Sequence, residues 1–359
     1  MNLQSARTLT LFDLLARRWQ APAAITDVRF TADGGAAAFA GADGAILLAA
    51  APDAEPPETR IRVTGDLGQT TIRPRAKDPA PLVIIAGLTE RTPPLAAAGS
   101  GFLVGDGEGR VLRVGLDGGV TPILALDGPV TALDHAAGVT AAAGGASLIR
   151  ADAGDTRRWP AAEVAAVALS PDGARLAIAD AREIRVIGGH DQEVAPVPGA
   201  SRLAWRVDGA WLAAALGAEG VALLAPGTPE PARLRDFPTP VRSLAWSGPA
   251  GAFLAAGAYR VAAWDAGALP ATDRALVTGQ PGLCAVEAVA AHPTRPLIAA
   301  GYANGQVVIA QIGGRDELLL RQGGGAVTCL GFSADGHHLA IGDADGAAAI
   351  ATFPPGMFK

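Results

Sequence analysis

The chain has 359 residues, of which 50% are hydrophobic and 18% are charged, with a net charge of −6. This composition supplies a packed core and excludes a disordered chain. It does not supply the strongly basic surface that sequence-independent binding of nucleic acid needs, so we expect no nucleic-acid partner. The 46 Gly and 27 Pro indicate many turns between short elements.

The first predicted element is the stretch 7–19, RTLTLFDLLARRW. Asp13 interrupts its apolar run and two arginines follow, unlike a secretory signal peptide. No segment approaches the ~18 apolar residues of a membrane span, so we predict a cytoplasmic protein without a membrane contact. The stretch is predicted to form a strand, and the alternative is a short helix that lies across the rest of the domain, because LFDLLARRW also has helical spacing.

A phrase of three positions then recurs, with the second position three residues and the third five residues after the first. The last two positions lie two residues apart and therefore share one face of a strand. The copies are Ile25/Val28/Phe30, Val130/Leu133/His135, Val164/Val167/Leu169, Ala200/Leu203/Trp205, Val241/Leu244/Trp246, Val286/Val289/Ala291 and Val327/Leu330/Phe332.

An Asp-Gly turn follows the phrase in several copies, because Gly accepts a positive φ and Asp bonds its own backbone. These turns read TADG, SPDG, RVDG and SADG, beginning at residues 31, 170, 206 and 333. An apolar run, a second tight turn and another apolar run come next, as in 174–188 and 337–353. A further segment precedes the next phrase, so each unit is predicted to contain four strands.

One unit, SPDGARLAIADAREIRVIG, resembles the core of a WD40 repeat, and Trp264-Asp265 supply one copy of the WD dipeptide. The resemblance covers residues 8–353 and implies a single all-β domain, a β-propeller with blades of four antiparallel strands. The Gly-His that usually opens a WD40 unit is missing, since Gly189-His190 falls after a third strand. The blades must therefore depend on apolar packing rather than on the His–Asp network of typical repeats.

Successive units are roughly 40 residues long, the period of a propeller blade. The interval between Phe30 and His135 is too long for one unit and accommodates another, with strands near Leu95–Ala98, within 101–116 and at 120–126. We therefore predict eight blades, with seven as the alternative. The chain ends after a third strand near Thr352, so the N-terminal strand is expected to complete the last blade and close the ring.

Residues 64–94 are predicted to form an insertion or a projecting hairpin within the propeller. TRIRVTGD (59–66) is interpreted as the fourth strand of blade 1, and RAKDPA as the turn between two further strands. Arg73, Arg75 and Lys77 alternate along this segment and would dock an acidic surface or a phosphate. The alternative is a solvated hairpin whose arginines pair with nearby Asp and Glu.

The second turns of all blades are predicted to share one face. Arg182, Tyr259 and Arg260 lie on these turns and are candidate partner-binding residues, because Tyr and Arg are favoured at interface hot spots. Alternatively, Tyr259 folds against its own blade. Four acidic residues occupy other second turns, namely Asp43, Glu108, Glu219 and Asp345.

Groupings that would carry chemistry are absent from the sequence, so we expect neither catalytic residues nor a cofactor or metal. His337-His338 lacks a third ligand, and the Gly-rich segments 105–109 and 323–325 do not match a phosphate-binding loop. Cys284 and Cys329 lack metal-ligand spacing, and their neighbours Leu283 and Leu330 predict buried, inert thiols.

We therefore expect a non-catalytic protein–protein interaction scaffold or assembly factor, monomeric on its own, with protein partners that the sequence does not identify. The alternative is a propeller enzyme, a hydrolase, lactonase or dehydrogenase, with the four acidic turn residues at the channel mouth. A composition rich in Ala and Gly, in which Lys77 and Lys359 are the lysines among 29 basic residues, suggests a bacterium with a GC-rich genome.

Overall fold

The computed structural model describes residues 9–63, 70–188, 191–225, 227–228, 230–271 and 275–358. Within these residues the chain forms a β-propeller of eight blades, each an antiparallel sheet of four strands. The prediction of eight blades is confirmed, and the alternative of seven is wrong. Residue 8 of the predicted domain and residues 64–69 of the predicted insertion lie outside the described residues.

The N-terminal half contains one helix and one strand that precede blade 1, then blades 1 to 4. Blade 1 consists of β2, β3, β4 and β7, and each of the next three blades uses four consecutive strands. The elements are α1 (Leu11–Leu15), β1 (Ala16–Gln20), β2 (Ile25–Phe30), β3 (Ala36–Gly41), β4 (Ile46–Ala50), α2 (Pro57–Arg60), β5 (Ile61–Val63), β6 (Thr70–Ile72), β7 (Val83–Ile85), β8 (Leu95–Ala98), β9 (Gly101–Gly105), β10 (Arg110–Val114), β11 (Val120–Ala125), β12 (Val130–Ala136), β13 (Val139–Gly144), β14 (Ser147–Ala151), β15 (Thr156–Pro160), β16 (Ala166–Leu169), β17 (Arg175–Ala179), β18 (Ile184–Gly188) and β19 (Asp191–Ala195).

The C-terminal half contains blades 5 to 8 in the same order. Three of these blades again use four consecutive strands, whereas the last three strands of the chain leave blade 8 one strand short. The elements are β20 (Arg202–Trp205), β21 (Leu212–Ala215), β22 (Val221–Leu224), β23 (Ala232–Leu234), β24 (Leu244–Ser247), β25 (Ala252–Ala255), β26 (Ala262–Asp265), β27 (Ala275–Leu276), β28 (Val286–Ala291), β29 (Leu297–Tyr302), β30 (Val307–Gln311), β31 (Glu317–Arg321), β32 (Val327–Phe332), β33 (His338–Asp343) and β34 (Ala347–Thr352).

The first strand of every blade lines a central channel. These strands contact one another in sequence around the ring, and β32 of blade 8 contacts β2 of blade 1. Because the strands of a blade alternate in direction, the turns after the second strands and the connections between blades share one face. We call this the second-turn face and the opposite one the first-turn face.

The N-terminal strand closes the ring. β1 pairs antiparallel with β34, from Ala16 opposite Ala351 to Gln20 opposite Ala347, and supplies the fourth strand of blade 8. The predicted closure is confirmed, and the short helix considered as its alternative also forms, as α1. Thr10 and Asp13 cap that helix reciprocally in a capping box, which stabilises so short an element.

Apolar packing between blades forms the core. The second strands β3 and β13 are buried along their whole length, because a neighbouring blade covers each of their faces. Alanine dominates these strands and lets the sheets approach closely, while a few large side chains fill the wider gaps. The ring of Phe253, for example, lies 4.8 Å from that of Trp246 and 5.9 Å from that of Trp264.

The interpretation of residues 59–66 as the fourth strand of blade 1 is wrong. That position belongs to β7, which pairs with β4, whereas β5 pairs with β6 in a separate two-stranded sheet. The physical reason is packing: Leu82 and Ile85 fill apolar clusters on the two sides of blade 1. The apolar residues of β5, Ile61 and Val63, are two positions apart and would share one face of a strand. β6 and β7 are therefore not the two strands of one hairpin.

Two buried arginines connect the segment between β4 and β7 with α1 and the closing strand β1. Arg60 donates hydrogen bonds to the carbonyl oxygens of Leu14 and Arg73, both at 2.7 Å, and of Glu55 at 3.0 Å. Arg17 of β1 donates to the carbonyl oxygens of Ala50, Ala51 and Pro52, at 2.8, 2.5 and 3.2 Å. The guanidinium N–H groups thus satisfy backbone carbonyl oxygens that would otherwise need hydrogen bonds from water.

We expect the free energy of unfolding to fall as the pH drops below ~6.5, because of the buried His292 and the half-buried His338. Burial lowers the pKa of His338 and of His292, so the unfolded chain binds protons more readily than the folded chain. Their contribution to stability is complete above the unfolded pKa of about 6.5 and is lost as the pH falls from there towards the folded pKa. Urea denaturation over this pH range measures it. The difference between the wild type and His338→Gln isolates one histidine, and an unchanged pH slope in that variant would contradict the assignment.

Candidate functional site

An apolar projection stands on the second-turn face at blades 6 and 7. Tyr259, in the second turn of blade 6, exposes 48% of its surface, and Leu283, in the connection to blade 7, exposes 99%. The backbone N–H of Gly282 donates to the carbonyl oxygen of Tyr259 at 2.8 Å, which joins the two loops. We call Tyr259, the exposed Arg260 and Leu283 the blade-6 patch.

The backbone beneath the patch is fixed to the next blade. Gly257 has a φ of +97°, and a Cβ there would lie 2.9 Å from the carbonyl oxygen of Thr239. Its N–H donates to the carbonyl oxygen of Val286, and the N–H of Val286 donates to that of Ala258, both at 2.9 Å. Tyr259 is therefore presented by a turn held on both sides rather than by a free loop.

The prediction of two buried thiols holds for one cysteine. Cys329 is buried, and burial raises the pKa of its thiol to about 12. Cys284 is only half-buried, and its neighbour Leu283, taken from the sequence as a sign of a core, is fully exposed because it lies in the connection between blades. Both thiols are free.

The three basic residues of the predicted docking segment have different surroundings. Arg75 forms a bidentate ion pair with Asp53, whose side chain is 1% exposed, and this hydrogen bonding raises the pKa of Arg75. This is the internal pairing that the alternative interpretation supposed. Arg73 and Lys77 are exposed, and their role in docking stays a prediction.

Arg182 is exposed in the second turn of blade 4, where its N–H donates to Asp180 at 2.8 Å. The four predicted acidic turn residues are exposed on the same face, on blades 1, 2, 5 and 8. Two of them make contacts within their own turns, since Asp43 accepts from the N–H of Ala45 and Glu108 pairs with Arg110 at 2.8 Å. Across the described ranges, no group of three His, Cys, Asp or Glu side chains is arranged to hold a metal ion.

Sequence reasoning missed the charges inside the channel. Asp27 of blade 1 and Arg202 of blade 5 each lie two residues after the first position of the recurring phrase, on opposite sides of the eight-bladed ring. A distance of 3.9 Å separates Asp27 Oδ1 from Arg202 Nη1, and 3.3 Å separates Asp27 Oδ2 from Arg29 Nη2. The available signal was the position two residues after the start of the phrase, which holds Ala, Ser or Cys in the other copies but Asp27 and Arg202 in these two.

The electrostatics of the channel follow from these contacts. Asp27 is the main cause that raises the pKa of Arg29, with a smaller contribution from Asp134. Burial raises the pKa of Asp134 itself, against hydrogen bonds from the N–H groups of Leu169 at 2.7 Å and His135 at 2.9 Å. Arg29 and Arg202 thus both lie next to the Asp27 carboxylate inside the channel.

No helix in the described part of the chain has the length and apolar character to cross a bilayer.

Comparisons with known proteins agree with this architecture. The family model described as WD domain, G-beta repeat matches residues 318–350, which run from β31 into β34. A search of curated proteins gives no significant match.

Among solved structures, the C-terminal WD40 domain of Sif2 is similar, with a TM-score of 0.63 and 11% identity over 94% of this chain and 99% of that one. The WD40 repeats of RRP9 give a TM-score of 0.55 and 16% identity over 96% and 99%. The computationally designed Ika8 protein gives 0.65 and 16% over 95% and 99%. At such identities the likeness concerns the fold alone. The chain is therefore an eight-bladed β-propeller, similar in fold to WD40 domains, in which residues 318–350 match the WD40 repeat model.

Proposed function

We propose that this chain is a non-catalytic interaction scaffold that holds a protein partner on its second-turn face, with the blade-6 patch as the anchor. The observation that carries the proposal is Leu283, a leucine exposed to 99% beside a half-exposed tyrosine on backbone that is held in place. Burying a leucine side chain gains about 1.5–3 kcal/mol, and here that gain is available only to another molecule.

The charge around the patch supports a partner of particular chemistry. Arg260 belongs to the patch, and Arg242 is exposed just before β24 on the same face. Such arginines favour a partner segment in which acidic residues flank an apolar side chain. Aromatic and Arg side chains around an apolar centre are the usual composition of an interface hot spot.

We further propose that the chain works in the cytoplasm, is monomeric until it meets its partner, and does not bind nucleic acid. Two free thiols suit a reducing compartment. The unpaired inner edges of the first strands face the channel, where the ring encloses them, which removes one route to self-association. The net charge of −6 opposes binding to a phosphate backbone.

Affinity capture from cells that naturally contain the chain, followed by measurement with the purified partner, tests the scaffold. We expect one stoichiometric protein, whose Kd rises by a factor of about 30 or more when Leu283→Ser and Tyr259→Ala are combined, the loss expected of a hot spot of at least 2 kcal/mol.

Val207→Ser is the matched control. Val207 is an apolar residue exposed to 73% in the first turn of blade 5, on the opposite face. This variant should bind the partner with unchanged affinity. A partner that is lost from the Val207 variant and retained by the patch variants would refute the assignment of the face, and hydrolase or dehydrogenase turnover by the purified chain would refute the scaffold.

A further inference from the structure

Two guanidinium groups meet inside the channel, and within the described residues most of their N–H donors have no hydrogen-bond partner. Arg29 contributes one contact to Asp27 at 3.3 Å, and Arg202 contributes one at 3.9 Å. Each guanidinium has five N–H donors. Their side chains remain 45% and 43% accessible, although both lie within the ring.

The space before them is a cavity of about 390 Å³ at the channel mouth of the second-turn face. It is bounded by the first strands of blades 1 to 5 and by the connection between blades 1 and 2. A volume of this size suits a small molecule. Hydroxyl groups at the mouth form hydrogen bonds with protein atoms, as in the 2.9 Å contact between Thr26 Oγ1 and Thr92 Oγ1. Among the described side chains that line the cavity, the two arginines therefore offer the cationic donors to a ligand.

We propose that this channel mouth is a binding site for a small diffusible molecule that carries a carboxylate or phosphate group, held between Arg29 and Arg202. Planar guanidinium groups match the paired oxygens of such anions and bind them with two parallel hydrogen bonds. Because the two arginines come from opposite blades, a bound oxyanion would link them across the channel, as the 3.9 Å contact of Arg202 with Asp27 does in the structure.

Asp27 takes the place of the ligand when the site is empty. One of its oxygens accepts the N–H of Val28 at 2.9 Å, and both lie near a guanidinium. The carboxylate holds the arginines in position and also competes with an incoming anion. Removing its charge and removing an arginine should therefore change anion affinity in opposite directions.

Isothermal titration calorimetry at low ionic strength, with inorganic phosphate and with succinate as separate probes, tests the site. We expect the wild type to bind at least one probe, and Arg29→Gln and Arg202→Gln to weaken it by a factor of about 10 or more. Asp27→Asn should strengthen binding, and because it keeps both arginines it remains informative if an arginine variant fails to fold. Arg157→Gln, at an exposed arginine on the outer strand of blade 3, should leave binding unchanged.

The two probes separate a phosphate site from a carboxylate site. Binding of neither, binding that both arginine variants retain, or weaker binding by Asp27→Asn would each overturn the proposal. The site is independent of the scaffold function: the channel variants should keep partner capture, and Leu283→Ser should keep anion binding, so either can fail alone.

Discussion

Replacing Arg321 by methionine is expected to lower the free energy of unfolding by about 3–5 kcal/mol. The Nη2 group of Arg321 donates to Asp343 Oδ2 at 2.6 Å, and the two side chains are 11% and 1% exposed. Removing the cation leaves a carboxylate buried without its partner, which costs more than the original pair contributed. The same carboxylate accepts the N–H groups of Asp345 and Ala347, so the second turn of blade 8 is disturbed as well.

The position of this pair explains why the effect should be global. Arg321 ends β31 of blade 7, Asp343 ends β33 of blade 8, and the guanidinium lies 5.7 Å from the ring centre of Phe12 in α1. One interaction therefore joins two blades and the helix that precedes the closing strand. Its loss weakens the junction on which the closed ring depends.

Equilibrium urea denaturation followed by circular dichroism measures the effect. Arg157→Met is the control, because Arg157 and Asp155 form an ion pair in which both side chains are about half exposed, and such pairs contribute less than about 1 kcal/mol. Adding Asp343→Asn to Arg321→Met should restore part of the stability, since the amide is neutral and still accepts both N–H groups. A loss below about 1 kcal/mol in Arg321→Met would show that the pair is not desolvated in solution.

Blade 2 shows how much of the fold the sequence contains. Its first strand was expected at Leu95–Ala98 and lies there as β8, although this blade lacks a copy of the recurring phrase. Period, turn residues and alternating burial are local properties, and together they set the number of blades. The choice between β5 and β7 for blade 1 was not local, because it depends on which side chains fill the clusters against blades 8 and 2.

The candidate site residues were harder to predict for the same reason. Tyr259 and Arg260 were found because their turn is recognisable, but Leu283 was misread because exposure depends on where the connection between blades runs. The approach of Arg202 to Asp27 requires blades 1 and 5 to face each other, and that follows only from the closure of eight blades. Arg75 resembled a surface cation until its partner Asp53, far from it in sequence, was located.

Deleting residues 1–20 should abolish cooperative folding, and a circular permutant should restore it. The deletion removes β1, which pairs along its whole length with β34, and α1, whose buried Phe12 and Leu15 pack into the core of blades 7 and 8. Burying those two side chains alone contributes about 3–6 kcal/mol, comparable with the total stability of many domains. Blade 8 would also expose the unpaired edge of β34.

The permutant begins at residue 21 and carries residues 9–20 after residue 358, joined by a flexible Gly-Ser linker. It keeps every contact of β1 with β34, since Ala16 lies opposite Ala351 and both strands belong to one blade. We expect a single thermal transition near that of the wild type in calorimetry, whereas the deletion should show none. A cooperative transition in the deleted chain would mean that seven complete blades and three strands of the eighth suffice, and that pairing of the two chain ends is not what holds the ring closed.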